Sequence, residues 1–294
     1  MLTLERPRTT AEAIDLLAGD AESRVLAGGQ SLVPLLTLGF AEPEMVVSLD
    51  RCAELDDLTI EEPTLRAGAM VTTRRIELDP LISQRCGLLA AAAAKVGSPH
   101  VRNFGTLVGN LCHADPGSDL IPAALCLGAE VEVRSSRGSR RLSVDELVEG
   151  PFVTSLADDE LAVAAHLPLR SPSWRHGYRK LALRVGDLAV ATAAALVRLE
   201  DDTVAEARLV VGGALRRATR IGRLESALAG TVASEAAGVA LATGWIDDLA
   251  GDLLPDAATP PEYLRAMLPR FVAATVRDAA DPLRDEDRYG QREH

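Results

Sequence analysis

Aromatic residues are scarce in this chain, 3% of 294 residues against 47% for hydrophobic residues as a whole. Its interior must therefore be filled mainly by Ala, Leu and Val. Basic charge is short as well: 31 Lys and Arg face 43 Asp and Glu, a formal net charge of −12. That balance argues against nucleic acid as a partner, because phosphate binding needs a basic face. The tightest basic cluster, RSSRGSRR at 134–141, lies between strand-like segments and reads as a hairpin turn. No window offers about 18 uncharged apolar residues. The first residues, MLTLERPRTTAEAIDLLAG, carry charge and helix signals where a leader would need an apolar stretch. A soluble cytoplasmic protein without a transmembrane segment is expected. The four cysteines, Cys52, Cys86, Cys112 and Cys126, form no C-x-x-C pair, so they suggest neither a disulfide framework nor a zinc or iron–sulfur nest. Most read as small buried apolar residues; Cys112 stands apart because it lies beside a glycine-bearing loop. No metal site is assigned. Missing too are G-x-x-x-x-G-K-[ST] and G-x-G-x-x-G, which excludes a P-loop and a Rossmann fingerprint, and no repeat of 20–50 residues points to a solenoid.

What is there reads as two or three modules, since single cores stop growing near roughly 250–300 residues. Thr10, followed three residues later by Ala13, makes half a capping box for a helix near 10–18. RVLA then reads as a buried strand, LVPLLTLG as a helix with Pro34 near its start, and EMVVSLD as another strand. LTIEEPTLRAGAM alternates around a turn, TTRRIELDPLI is helix-like, and GLLAAAAAKV is helical by propensity. DLIPAALCLGAEVEVRSSRGSRRLSVDELVEG gives helix, strand, turn and strand, and LAVAAHLPL a further strand. The Pro, Ser and Arg of LRSPSWRH mark a module boundary at 169–176. Beyond it come two strands of small and β-branched residues, GDLAVATAAALVRLE and TVAEARLVVGGAL. Three amphipathic segments follow, IGRLESALAG, SEAAGVALATGWIDDLAG and PEYLRAMLPRFVAATVRDAA. The end of the chain, 281–294, has little to bury and is expected to fray.

Two glycine-bearing loops carry the functional reading. In LAGGQSL, at 26–32, Gly28 and Gly29 separate an apolar run from Gln30 and Ser31; in FGTLVGN, at 104–110, Gly109 and Asn110 follow a second apolar approach. Glycine permits positive φ and close approach, so backbone N–H groups in such loops can close on a bulky anion. Each loop alone is a common strand–helix turn. Two together, with Gln, Ser, Thr and Asn and few cations, suit a diphosphate neutralised chiefly by backbone N–H groups.

AGGQSL at 27–32, VGSPHVRNFGTLVGNLCHADPGSDL at 96–120 and YRKLALRVGDLAVATAAAL at 178–196 resemble the FAD-binding medium subunit of the molybdenum hydroxylases, the family of carbon monoxide dehydrogenase and xanthine dehydrogenase. The resemblance extends over nearly the whole chain, including FVTSLADDELAVAAHLP at 152–168 and the last amphipathic segment. It implies an α+β fold: a two-subdomain FAD-binding domain of the vanillyl-alcohol-oxidase (PCMH) type, then a C-terminal domain of a small antiparallel sheet plus helices. Boundaries implied are 1–170, with subdomains at about 1–54 and 55–170, and 175–280. By the same resemblance, Val25, Leu26, Ala27, Gly28, Gly29, Gln30, Ser31 and Leu32 wrap the pyrophosphate and ribityl region. Thr106, Leu107, Val108, Gly109 and Asn110 approach from the other side. Asp119 and Lys180 fall at acidic and basic positions of the FAD site, and Val96 and Ala162 complete it. No residue of this chain is assigned a catalytic role. The function implied is an oxidoreductase subunit passing electrons through FAD to an external acceptor. Its partners would be a small subunit with [2Fe–2S] clusters and a large molybdopterin subunit, as a dimer of heterotrimers. Two other readings stand beside it, a self-sufficient FAD-dependent reductase or oxidase and a non-catalytic nucleotide-binding assembly module.

Two places depart from the family pattern. Val108 stands where glycine is more frequent, and a residue with Cβ does not take positive φ cheaply, so either Val108 is extended or FAD binding is locally altered. GGALRRATR at 212–220 replaces a glycine-rich, proline-containing turn. Among single residues, His100 and His113 lack helical metal-pair spacing, His113 is either flavin-adjacent or a polar loop residue, and Asp115 before Pro116 suits a turn. In the run Lys180, Arg184, Asp187, a cation over the flavin ring would raise its potential; the plainer alternative is an exposed ion pair of little consequence.

Overall fold

The computed structural model describes residues 2–20, 22–255 and 259–281. The expected frayed tail, apart from Asp281, lies outside the described residues. The chain begins with a parallel three-stranded sheet. Strand β1 (Thr3–Glu5), helix α1 (Thr10–Gly19), β2 (Arg24–Leu26), α2 (Leu32–Thr37) and β3 (Met45–Ser48) follow in order, and β3 sits between β1 and β2. The cap of α1 falls one residue earlier than the sequence suggested. Thr9 Oγ1 accepts the Glu12 N–H at 3.2 Å, and the Glu12 carboxylate accepts the Arg8 N–H at 2.7 Å. The spacing that matters is therefore Thr9 to Glu12, a Thr-x-x-Glu pattern.

The next unit is built on a five-stranded antiparallel sheet. Its elements are β4 (Leu58–Glu61), β5 (Thr64–Gly68), α3 (Thr73–Leu78), α4 (Pro80–Arg85), α5 (Gly87–Ala93), α6 (Pro99–Phe104), α7 (Leu107–His113) and α8 (Leu120–Leu127). They continue with β6 (Glu130–Ser135), β7 (Gly138–Ser143), α9 (Val144–Leu147), the hairpin β8 (Val148–Gly150) and β9 (Val153–Thr154), and β10 (Leu161–Pro168). The sheet order is β4-β5-β10-β6-β7. TTRRIELDPLI makes two helices, not one. Pro80 forces its predecessor out of the helical region, and Asp79 (ψ 121°) both ends α3 and caps α4 through Oδ1 on Leu81 and Ile82 N–H at 2.9 and 3.2 Å. The basic cluster is the expected β6–β7 turn, with Arg137 paired to Asp159 and Arg140 to Glu160.

The C-terminal unit comprises β11 (Trp174–Leu181), β12 (Ala191–Glu200), β13 (Thr203–Gly212), β14 (Thr219–Arg220), α10 (Gly222–Leu228), α11 (Ala236–Ala242) and α12 (Pro261–Ala280), with its strands antiparallel in chain order. Strand β12 is buried on both faces. Its alternate residues Ala191, Ala193, Ala195 and Val197 join the core under α12, while Ala194 and Leu196 join the core of the preceding unit. Helix α8 fills the junction, and all eight of its residues are buried. Its C-terminal carbonyls are capped by arginines from beyond it: Arg208 Nε donates to Cys126 O and Arg170 Nη2 to Leu127 O, both at 2.7 Å. Cations at that end also suit the helix dipole. As composition required, the cores are Ala, Leu and Val, with Trp245 the one aromatic among the largest fully buried side chains.

Candidate functional site

Strand β2 delivers the chain to the first loop, and α2 leaves it. Gly29 has φ +73°, a left-handed conformation that favours glycine. Gly28 is required for a different reason: a methyl group built on it would lie 1.7 Å from the Phe104 carbonyl oxygen. Among the described residues, none accepts a hydrogen bond from the backbone N–H of Ala27, Gly28, Gly29, Gln30 or Ser31. Five consecutive backbone donors therefore lack a partner here, the kind of backbone from which anion-binding nests are built. Helix α2 buries none of its residues, and its cap residue Ser31 makes no side-chain capping bond.

The second loop is a helix start. Thr106 caps α7, its Oγ1 accepting the Gly109 N–H at 3.1 Å, and Asn110 N–H bonds to Thr106 O at 3.0 Å. This overturns the extended backbone, the first of the two alternatives for Val108. It is neither extended nor forced toward positive φ but sits in the first turn of α7, buried at 2% exposure, with its N–H lacking an acceptor among the described residues. A Cβ is harmless in helical backbone. Leu107 is likewise buried, and the preceding segment is fastened to the start of α3 by Thr73 N–H on Gly105 O at 2.8 Å and a bridge between Thr72 and Thr106.

Folding brings the two loops into direct contact. Gly28 faces Phe104 and Gly105, a methyl on Gly105 would meet Gln30 Cγ at 3.6 Å, and one on Gly109 would meet Ala27 Cβ at 3.6 Å. From Asn110 a polar line runs onward. Ser118 Oγ donates to Asn110 Oδ1 at 2.5 Å and accepts the N–H groups of Leu120 and Ile121 at 3.1 Å each, capping α8. Next to it, Asp119 is buried at 4% exposure; its Oδ2 is 2.7 Å from Lys180 Nζ, and its Oδ1 accepts the Tyr178 hydroxyl at 2.7 Å. Lys180 Nζ also donates to Lys95 O at 3.1 Å, beside Val96. Burial pushes the Asp119 carboxyl above its ordinary range, against the pull of Lys180 and Tyr178. The Tyr178 hydroxyl is driven well above its usual value by burial and by the Asp119 charge. Lys180 is thus in a buried ion pair, not an exposed one, while Arg184 and Asp187 lie in an exposed loop after β11.

Tyr178 and Ser118 were not singled out in the sequence. The signal for Tyr178 was available, because residues two apart in a strand share a face and Tyr178 and Lys180 both lie in β11. Val25 and Val96 pack against the core, Leu26 ends β2, and Leu32 opens α2. Ala162 is buried in β10 beside a bulge. Asp115 Oδ1 accepts the Gly117 N–H at 2.8 Å, the turn role. His100 packs edge-on against Phe104, and His113 lies 5.2 Å from the Phe152 ring. Burial lowers the His113 pKa, and enclosure of the Cys112 sulfur pushes its thiol up to about 12 although the residue keeps some exposed surface. No cluster of three or more potential metal ligands occurs among the described residues, and no helix there is long and apolar enough to cross a membrane. A cavity of about 360 Å³ lined by Thr10, Glu54, Arg66 and Arg134 shares no residue with the loops.

A parallel βαβ unit whose loop carries unpaired backbone donors thus lies against a second helix start, and a polar line leads from there to a buried ion pair, all within an α+β fold. Residues 1–170 match the family of the FAD binding domain in molybdopterin dehydrogenase, and residues 176–279 match the CO dehydrogenase flavoprotein C-terminal domain. The chain belongs to this family: it is an FAD-binding oxidoreductase subunit of the molybdenum hydroxylase type. It is 33% identical to the nicotine 6-hydroxylase medium subunit of Paenarthrobacter nicotinovorans over 93% of this chain and 95% of that one. It is also 32% identical to the carbon monoxide dehydrogenase medium chain of Hydrogenophaga pseudoflava, over 72% and 75%. Among solved structures, quinoline 2-oxidoreductase from Pseudomonas putida superposes with a TM-score of 0.86 at 31% identity, over 95% of this chain and 97% of that one. Carbon monoxide dehydrogenase from Hydrogenophaga pseudoflava gives 0.87 at 28%, over 95% and 96%.

Proposed function

We propose that this chain receives electrons from [2Fe–2S] clusters on a small partner subunit and hands them to an external acceptor. The electrons would come from substrate oxidised at a molybdopterin centre on a large partner. FAD, when bound, supplies the redox chemistry. The chain's own residues bind and tune. The open N–H groups of Ala27 to Ser31, joined by that of Val108, neutralise the diphosphate, with Thr106 and Gly109 setting the geometry of the second helix start. Val25, Leu26, Leu32, Val96, Leu107 and Ala162 shape apolar walls, and Asn110, Asp119 and Lys180 take the polar end of the cofactor. The division of labour is by domain, with subdomains of about 1–54 and 55–170 enclosing the cofactor and 175–280 supplying Lys180. The working assembly is a dimer of heterotrimers in the cytoplasm.

The observation that carries this reading is the contact between the two loops at Gly28, Gly105 and Gly109, with the backbone donors of Ala27 to Ser31 and that of Val108 lacking acceptors among the described residues. Two measurements test it. The purified full chain should take up added FAD and turn yellow, and the native complex should co-purify with two further subunits, iron and molybdenum. A chain that stays colourless favours the assembly module. Rapid NADH oxidation by the isolated FAD-loaded chain with oxygen favours a self-sufficient reductase.

A further inference from the structure

An ammonium has three N–H donors. Two of those on Lys180 go to Asp119 Oδ2 and Lys95 O, and the third has no acceptor among the described residues. The Lys180 side chain is 9% exposed and that of Asp119 5%, so the pair interacts with little screening by water. What Lys180 presents to a bound group therefore depends on how much of its charge Asp119 cancels. Asp119 is in turn held by a third residue, Tyr178, whose hydroxyl occupies Oδ1 and leaves Oδ2 for Lys180. All three meet at the start of α8, adjoining Ser118 and, through it, Asn110 of the second loop.

We propose that Tyr178 is a positioning residue: its hydroxyl, donating to Asp119 Oδ1, draws off part of the carboxylate charge and so sets the net positive field that Lys180 directs at FAD. The inference rests on the reading that FAD occupies this cleft. A hydrogen bond to a buried carboxylate spreads its charge. Without the hydroxyl, Asp119 cancels more of the Lys180 charge, and reduced FAD, which carries more negative charge than oxidised FAD, loses the larger share of its stabilisation.

The test uses the full chain loaded with FAD. Tyr178→Phe should bind oxidised FAD within about threefold of wild type but bind the reduced form about threefold to tenfold less tightly relative to it. A tenfold change corresponds to a midpoint potential lower by about 30 mV for a two-electron couple. In an Asp119→Asn background the same substitution should leave the potential unchanged, since no carboxylate charge remains to be offset. Equal shifts in both backgrounds, or loss of FAD without any shift, would overturn the proposal. Failure of the wild-type chain to take up FAD would strike the proposed function instead. If Tyr178→Phe does not fold, the native sequence carries the test, because the chain has only three tyrosines. With 3-fluorotyrosine in place, one fluorine resonance should move on reduction of FAD and stay still in Asp119→Asn; no moving resonance in the former overturns the assignment.

Discussion

The two loops reach the same place by opposite means. The second is secured by its own chain: Thr106 caps α7, Leu107, Val108 and Leu111 anchor it in the core, and Gly105 O is tied to Thr73. The first has no such support, since α2 is uncapped by a side chain and buries nothing. Its position comes from lying against the second at Gly28, and its donors stay open because no local acceptor satisfies them. A loop held from outside can devote its backbone to a ligand; a loop held from inside supplies the wall it leans on.

Removing the cation behind the second loop should have the largest effect. Lys180→Met leaves Asp119 buried without its counter-charge, a loss of about 3–5 kcal/mol for broken buried pairs, read by urea unfolding. The penalty should shrink in acid. Burial gives Asp119 a folded pKa above its unfolded value, so the folded state holds its proton more tightly. Its contribution is most favourable below the unfolded pKa and is lost as pH rises through the folded one. A pH-independent penalty would show that Asp119 is not the group left stranded.

Gly28→Ala comes next. Its Cβ would occupy the Phe104 carbonyl, and both neighbours are backbone, so the loops must separate. We expect FAD affinity to fall about 100-fold or more, near 3 kcal/mol, the upper range for overpacking, by fluorescence titration. Thr106→Ala should destabilise by about 1 kcal/mol through loss of the cap, visible in thermal unfolding, and weaken FAD binding less than Gly28→Ala does. Gly109→Ala sharpens the contrast. Its Cβ would lie 2.7 Å from Thr106 Oγ1, a side-chain atom that can rotate away. A helix gain of about 0.5–1 kcal/mol over glycine then offsets most of the disturbed cap, and stability should stay within about 0.5 kcal/mol. A Gly109→Ala loss as large as that of Gly28→Ala would erase the distinction between the loops.

The smallest effect belongs to the sheet beneath the first loop. Asp50, following β3, is held down to about 2 by the Arg6 side chain, with Ser48 assisting. Its contribution is present above the unfolded pKa and fades as pH falls through the folded one. Because the pair is solvent-exposed, Asp50→Asn should flatten the acid limb of Tm against pH between about 4 and 2 only slightly.

Much of this was legible in the residues. AGGQS marked a turn between a short apolar strand and a helix, and the small and β-branched run of β12 marked a strand, although its burial on both faces emerged only from the packing. Val108 was misread because glycine frequency drew attention to φ. The stronger sign was Thr106 three residues before Gly109, the spacing of a helix cap, under which Val108 needs only ordinary helical backbone. TTRRIELDPLI was misread for a related reason, since the Asp-Pro pair that divides it is both a stop and a start.

By itself the order of residues determined most of the elements, the composition of the core and the two glycine-bearing turns. Those properties depend on neighbours a few positions apart, where propensity, periodicity and glycine's missing Cβ act directly. Only the tertiary structure decided that Gly28 would meet Phe104 and that Asp119 would close on Tyr178 and Lys180, 59 and 61 residues further on. Such meetings are set by how sheets and helices pack, through burial and excluded volume summed over the whole chain, and no local pattern encodes them.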